Sequence, residues 1–350
     1  MKPALPLYQH PTCVILVDDS ASFVASLAFQ MPAGQKVKSF SCSVEALRWI
    51  FSTFRRTLDA DVLCNLVDRP PQDEMHDDDD RDGDADHHQA LRKMREPQRF
   101  SAPAVVVIDY AMPHIDGLDF CQALEGLPCK KILFTGEADE LIAVDAFNRG
   151  LIDHYIKKSD ALALERLEQA IATLERDYFF QRSVELQSYY TSQRYDFLYD
   201  ECLGQLVQDM IRRYGFVEHY VFPEPSGILF LDAEGSATLM VIENQAGLQS
   251  HLEAAEEYGA PMALQEALRK HSVVPFFWPS GGMYNGRLLD WQQYCMPAIL
   301  CEGKKKYYWA FFSLPAHFLA GEIYSYKHFL REKDEKATPY PYSRYGPCCR

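Results

Sequence analysis

The sequence predicts an α/β chain: a doubly wound, five-stranded parallel sheet in the first half, followed by an α+β unit. Ala104 to Ile108, AVVVI, is a short β-branched run closed by turn residues, the pattern of a strand buried on both faces. Cys13 to Val17, CVILV, is a second such run, and further short apolar runs alternate with segments of helical periodicity, which is the order of a parallel sheet covered by helices. The runs end in reactive side chains: Asp18 and Asp19, Asp109, Thr135, and Lys157 with Lys158. In open α/β sheets the crevice outside the strand carboxyl ends holds the ligands, so these are the candidate site residues.

Taken in order, the strand at Cys13 to Val17 precedes a helix over Ala21 to Gln30, a strand over Val37 to Phe40 and an amphipathic helix over Val44 to Phe54. Two adjacent carboxylates at a strand end repel each other and call for a cation, and hard oxygen ligands in small number suit Mg²⁺. Roughly 40 residues, about Thr57 to Ser101, then interrupt the alternation, a long insertion for a compact domain. Within them Asp73 to Asp86 is acidic and of low complexity, a segment too polar to fold alone. Asp78, Asp80, Asp82 and Gly83 match the start of a calcium loop, but its twelfth position is Gln89 where a bidentate glutamate is needed, so a solvated loop is expected.

After Asp109 come a helix over Leu118 to Leu124 and a strand over Lys130 to Phe134 that ends in Thr135 and Gly136. The hydroxyl donates to an arriving phosphoryl group and the glycine leaves room for it. A helix over Glu140 to Asn148 leads to the strand His154 to Ile156, whose following lysines supply a cation beside the aspartates. Leu164, Leu167, Ile171, Leu174 and Tyr178 share one face of the next helix; Tyr178, Phe179 and Phe180 exceed what the sheet needs and raise the alternative of a dimer seam.

Asp109, Met112, Pro113, Asp116 and Gly117 stand at the spacing D-x-x-M-P-x-x-D-G, which resembles the phosphoacceptor loop of CheY-like receiver domains in two-component response regulators. The resemblance extends over about Pro11 to Arg176 and implies a flavodoxin-like fold. It gives Asp18 and Asp19 the place of the acidic pair, Asp109 that of the phosphoacceptor, Thr135 the switch hydroxyl, Tyr155 the switch aromatic and Lys158 the lysine. Lys158 is preferred over Lys157 because it lies three residues after Tyr155; Ser159 departs from the proline usual there. It further implies Mg²⁺ bound by the acids and the backbone carbonyl of Ala111, and a sensor histidine kinase or phosphotransfer protein as donor.

The domain division expected is a receiver over 1–176, a helical linker over 177–192 and an output domain over 193–350. In the last, a helix over Asp196 to Tyr214 precedes a hairpin of Gly227 to Asp232 and Ala237 to Glu243. A helical stretch, Leu248 to His271, breaks near Gly259 and Pro261; a second hairpin pairs Ala298 to Cys301 with Tyr307 to Phe312. The tail after Lys333 is expected to be extended. Lys304, Lys305 and Lys306 read as a solubilising hairpin tip. The layout resembles the response regulators of α-hydroxyketone quorum sensing, and the first hairpin is loosely similar to a PAS-like sensor. Neither a nucleotide-cyclase or phosphodiesterase signature nor a P-loop, G-x-S-x-G or H-E-x-x-H motif appears, so no output enzyme is expected.

The net charge of −15 disfavours nucleic acid as a partner. No apolar run reaches the roughly 20 residues of a membrane span, and no secretory leader is visible, which together predict a cytoplasmic protein. Ten cysteines without zinc spacing read as reduced thiols. Output through protein contact, with a homodimer as one arrangement of it, is the reading these observations favour.

Overall fold

The computed structural model describes residues 3–32, 34–67, 94–136, 140–184, 193–222, 224–288, 290–314 and 323–336. The acidic segment, its calcium-like motif, and the tail beyond Lys336 lie outside them. Strand β1 (Tyr8–Gln9) is followed by β2 (Cys13–Val17), helix α1 (Ala21–Gln30), β3 (Lys36–Phe40) and α2 (Ser43–Val67). Then come β4 (Val105–Ile108), α3 (Gly117–Ala123), β5 (Lys130–Thr135), α4 (Glu140–Asn148), β6 (His154–Lys157) and α5 (Ala163–Val184). Strands β2 to β6 form an all-parallel sheet in the order β3-β2-β4-β5-β6.

Period-two alternation sends successive strand residues to opposite faces of this sheet. Val14, Leu16, Val105, Val107, Ile132 and Phe134 pack with Val24 and Leu27 of α1 and Leu167 and Ile171 of α5. Ile15, Val17, Val106, Ile108 and Leu133 pack on the other side with Ala46 and Ile50 of α2, Phe120 of α3 and Ala143 of α4. Both faces are covered, which is why these strands read as continuous apolar runs.

The second half is built on an antiparallel sheet. Helix α6 (Glu201–Tyr214) precedes β7 (Glu218–Phe222), β8 (Gly227–Leu231) and β9 (Ala237–Asn244), and helices α7 (Gln245–Glu257) and α8 (Met262–Arg269) follow. The short pair β10 (Val273–Pro275) and β11 (Cys295–Pro297) leads to β12 (Ile299–Glu302), β13 (Lys306–Ser313) and helix α9 (Tyr326–Lys336). The sheet order is β1-β7-β8-β9-β13-β12.

Several expectations are amended. The helix expected from Asp196 is a 3₁₀ turn, Gln193–Tyr199, and then α6: Asp200 is extended and its carboxylate accepts from Cys202 N at 3.0 Å, which starts a new helix there. Helix α2 runs beyond Phe54 to Val67, into the segment read as a loop. Gly259, in the left-handed region at φ +63°, and Pro261 separate α7 from α8. The lysine turn is no free tip: Lys304 N donates to Asp200 Oδ2 at 2.6 Å, Lys304 Nζ donates to Tyr199 O at 2.9 Å, and Lys305 pairs with Asp196.

The division at 176 and 193 does not follow the packing. Strand β1, which precedes Pro11, belongs to the second sheet, since it pairs with β7. Helix α5 passes residue 176 unbroken, and its end meets that same segment: Leu7 N donates to Ser183 Oγ at 3.1 Å, and the Tyr8 and Phe179 rings meet edge to face at 5.6 Å. Tyr178 and Phe179 therefore have their partners within the chain, and one apolar core runs from the five-stranded sheet into the second sheet. Arg99, at the end of the insertion, forks onto Glu218 of β7 with two bonds of 2.9 Å.

His219 lies in the same strand, fully enclosed, with a ring nitrogen 3.2 Å from Pro6 O. Burial, opposed by that backbone contact, pushes its pKa down from 6.5 to about 4. The unfolded chain binds a proton below pH 6.5 that the folded chain refuses, so the stability due to neutral His219 is full above that pH. It is lost as pH falls toward about 4, at up to about 1.4 kcal/mol per unit. Urea unfolding at pH 7 and 4.5 should show this loss, and His219→Gln should remove its share.

Candidate functional site

Asp18 follows β2 and Asp109 follows β4; the two strands are adjacent, and Asp109 N donates to Val17 O at 2.8 Å. The acids therefore meet because their strands end in register. Asp18, Asp19 and Asp109 offer carboxylate oxygens within 4.8 Å of one another, with Asp18 and Asp109 buried and Asp19 exposed. The pair does not cap α1 directly. Ser20 is the cap, its hydroxyl accepting from Phe23 N, while Asp18 Oδ1 accepts from Ser20 N at 2.8 Å.

Lys158, just past β6, reaches back across the strand ends. Its Nζ donates to Asp18 Oδ2 at 2.5 Å and to Asp109 Oδ1 at 2.7 Å. Burial acts to lower its pKa, but the hydrogen bonds and charges of Asp109 and Asp18 outweigh that and leave it raised. Lys157 lies opposite Thr135 in the β5–β6 register. The ring of Phe23, a residue the motif does not single out, faces the Lys158 ammonium at 4.4 Å.

Thr135 ends β5 fully buried, and its carbonyl accepts from Lys158 N at 3.0 Å, which fixes the two side by side. Tyr155 is half-buried opposite Leu133 and packs on the second core layer. Ala111 lies exposed in the turn after Asp109. That turn needs glycine at position 117: a Cβ there would fall 2.4 Å from Asp109 O. Asp116 caps α3, accepting from Leu118 N and Asp119 N. The motif residues thus divide into those that face the pocket and those that hold its loop.

Three carboxylates against one ammonium leave the pocket with excess negative charge and hard oxygen donors, a donor set that fits a divalent cation. No other group of three metal-ligating side chains occurs among the described residues.

The second half holds a cavity of about 290 Å³ between the start of α7, the end of β9 and the Gly281–Gly282 turn. His251 is buried in its wall with Nδ1 unpartnered and Nε2 3.5 Å from Glu243 Oε1. Glu224 and Glu243 add carboxylates, and Phe197, Ile242 and Met283 apolar surface. No sequence motif marks this site, because its residues come from segments more than 80 residues apart.

The receiver half agrees with known proteins. Residues 81–172 match the response regulator receiver domain family, a span that starts inside the insertion and so leaves out β2 and β3. No curated protein matches the sequence. Among solved structures, the response regulator LqsR of Legionella pneumophila is 28% identical, with a TM-score of 0.76 over 96% of this chain and 98% of that one. The response regulator TrrA of Thermotoga maritima, in complex with Mg²⁺-BeF, is 17% identical over 47% of this chain and 97% of that one, with a TM-score of 0.29. The receiver domain of Francisella response regulator 1452 is 14% identical over 47% and 98%, with a TM-score of 0.29. No helix among the described residues is long and apolar enough to cross a membrane. A matched receiver family and a likeness that spans nearly the whole of both chains lead to one conclusion: the chain carries a response regulator receiver domain and is similar over nearly its whole length to a response regulator.

Proposed function

We propose that Asp109 accepts a phosphoryl group from a sensor histidine kinase or phosphotransfer protein, and that Asp18, Asp19, Asp109 and the backbone carbonyl of Ala111 hold Mg²⁺ for that reaction. The observation that carries this is the convergence of Lys158, Asp18 and Asp109 within hydrogen-bond distance. Asp109, held by the Lys158 ammonium, is the nucleophile that attacks phosphorus. Lys158 is then free to pair with the phosphoryl oxygens as the charge on them develops. Bound Mg²⁺ supplies charge neutralisation between carboxylate and phosphoryl group. The Thr135 hydroxyl donates to the new phosphoryl group, and Tyr155 follows it inward, which alters the face formed by α4, β6 and α5.

Output through protein contact is supported by the apolar side chains this face exposes: Leu141, Val144 and Phe147 of α4 are each more than half exposed. We place the protein in the cytoplasm, where such donors act, and in a quorum-sensing pathway, a reading supported by the whole-chain likeness to LqsR. The test is phosphoryl uptake from acetyl phosphate by the intact chain, with and without Mg²⁺. Uptake that needs the metal and gives a hydroxylamine-labile adduct supports the proposal; uptake indifferent to the metal defeats it.

A second reading is favoured by the cavity at His251: the output half also senses a small ligand. The carboxylates of Glu224 and Glu243 and the open Nδ1 lone pair call for hydrogen-bond donors, so the ligand class is a compact hydroxyl- or amine-bearing molecule. Saturation-transfer NMR with tyramine and with its anionic counterpart, 4-hydroxyphenylacetate, separates the cases. Transfer to tyramine alone, lost in His251→Phe, supports the reading; no transfer, or preference for the anion, rejects it.

A further inference from the structure

Cys202 and Cys301 lie 99 residues apart in sequence, yet their sulfurs are 3.4 Å apart. Both are free thiols; Cys202 is exposed, whereas Cys301 is buried. Their backbones are fixed independently of each other. Cys202 sits in the first turn of α6, where the Asp200 carboxylate accepts its N–H at 3.0 Å. Cys301 is in the edge strand β12, paired opposite Tyr307 of β13. The same Asp200 carboxylate accepts from Lys304 N at 2.6 Å and so ties the β12–β13 turn to the start of α6. Gly303 makes this approach feasible, since a Cβ there would lie 2.2 Å from Asp200 Oδ1. The thiols are therefore held in contact by two anchored elements, and a movement of little more than 1 Å would bring them to the S–S bond length of about 2.05 Å.

We propose that Cys202 and Cys301 form a reversible dithiol–disulfide site oxidised by hydroperoxides. Exposed Cys202 meets the oxidant. Its thiolate attacks the terminal peroxide oxygen, the S–O bond forms as the O–O bond breaks, and the alkoxide leaves as the alcohol with the proton from Cys202. The Cys301 sulfur then attacks the sulfenic sulfur; the S–S bond forms, the S–O bond breaks, and hydroxide leaves as water with the proton from Cys301. Two thiols lose two electrons in all, and one hydroperoxide is reduced to alcohol and water. Burial raises the pKa of Cys301 and so keeps it from reacting first with the oxidant, while its contact with the neighbouring sulfur gives it the second, resolving step.

The bond would join α6 to the outer strand of the six-stranded sheet and close a loop of roughly a hundred residues, a long enough loop for a sizeable gain in stability. The full-length protein is treated with tert-butyl hydroperoxide, alkylated, digested without reductant and mapped by mass spectrometry. The expected result is a Cys202–Cys301 cross-linked peptide, reversed by dithiothreitol, together with a rise of about 5 °C or more in the unfolding midpoint. Cys202→Ser, a change at an exposed site, should abolish both while Cys301 stays alkylatable after unfolding. Both thiols remaining free under peroxide, or Cys202 advancing to sulfinic acid without a cross-link, would overturn the proposal. Because this readout needs no phosphoryl transfer, it stands or fails independently of Asp109.

Discussion

Asp109→Asn will take up no measurable phosphoryl group from acetyl phosphate, a fall in rate of at least about a hundredfold, because the substitution removes the attacking oxygen and its charge. Lys158→Ala is a graded companion. It leaves the nucleophile in place but removes the cation that bonds both Asp109 and Asp18, and should slow uptake by roughly a hundredfold while leaving the reaction metal-dependent. The order of the two variants matters more than either value. Radiolabel uptake by Asp109→Asn at the rate of the parent would mean that another residue is the acceptor. A Lys158→Ala protein that reacts as fast as the parent would mean that the ammonium merely balances charge in the resting pocket.

Arg99→Met will destabilise the protein by about 3–5 kcal/mol, the usual cost of leaving one buried charge without its partner. The Arg99 guanidinium is 4% exposed and the Glu218 side chain 0%; Tyr220 OH also donates to Glu218 Oε2 at 2.6 Å, and Arg99 itself reaches Tyr324 O at 2.8 Å and Glu96 O at 2.8 Å. Removal of the arginine strands a carboxylate in the core. The double substitution Arg99→Met with Glu218→Met should recover much of the loss, since no charge remains to be desolvated. Urea unfolding of the single and double variants at pH 7 measures these differences. A single variant within 1 kcal/mol of the parent would show that water reaches Glu218 and that the pair does not clamp the two halves.

The central strands β2, β4 and β5 were legible because they are buried along their length, so Asp18, Asp109 and Thr135 were marked by the apolar runs that lead to them; Lys158 follows the less buried edge strand β6 and was marked by its spacing from Tyr155. Strand β7 was not legible. The sequence predicts no element between Tyr214 and Gly227, and the burial of the polar residues Glu218 and His219 rests on Arg99, 119 residues upstream, and Pro6, 213 residues upstream. Strand β1, two residues long, carries no periodicity at all. The aromatic excess at Tyr178 and Phe179 was visible, but its partner was not: the rings of Tyr8 and His10 come from the start of the chain. Long-range pairing of this kind leaves no mark in local sequence pattern.

The pairing of Tyr8 with Tyr220 bears on how the protein is made. Strand β1 is synthesised roughly two hundred residues before its neighbour β7 exists, so the receiver sheet can close around Asp109 while the arm that carries Tyr8 is still unpaired. Nascent chains stalled before Glu218 should therefore present that arm to proteases and chaperones, and lose it from view once β7 has emerged.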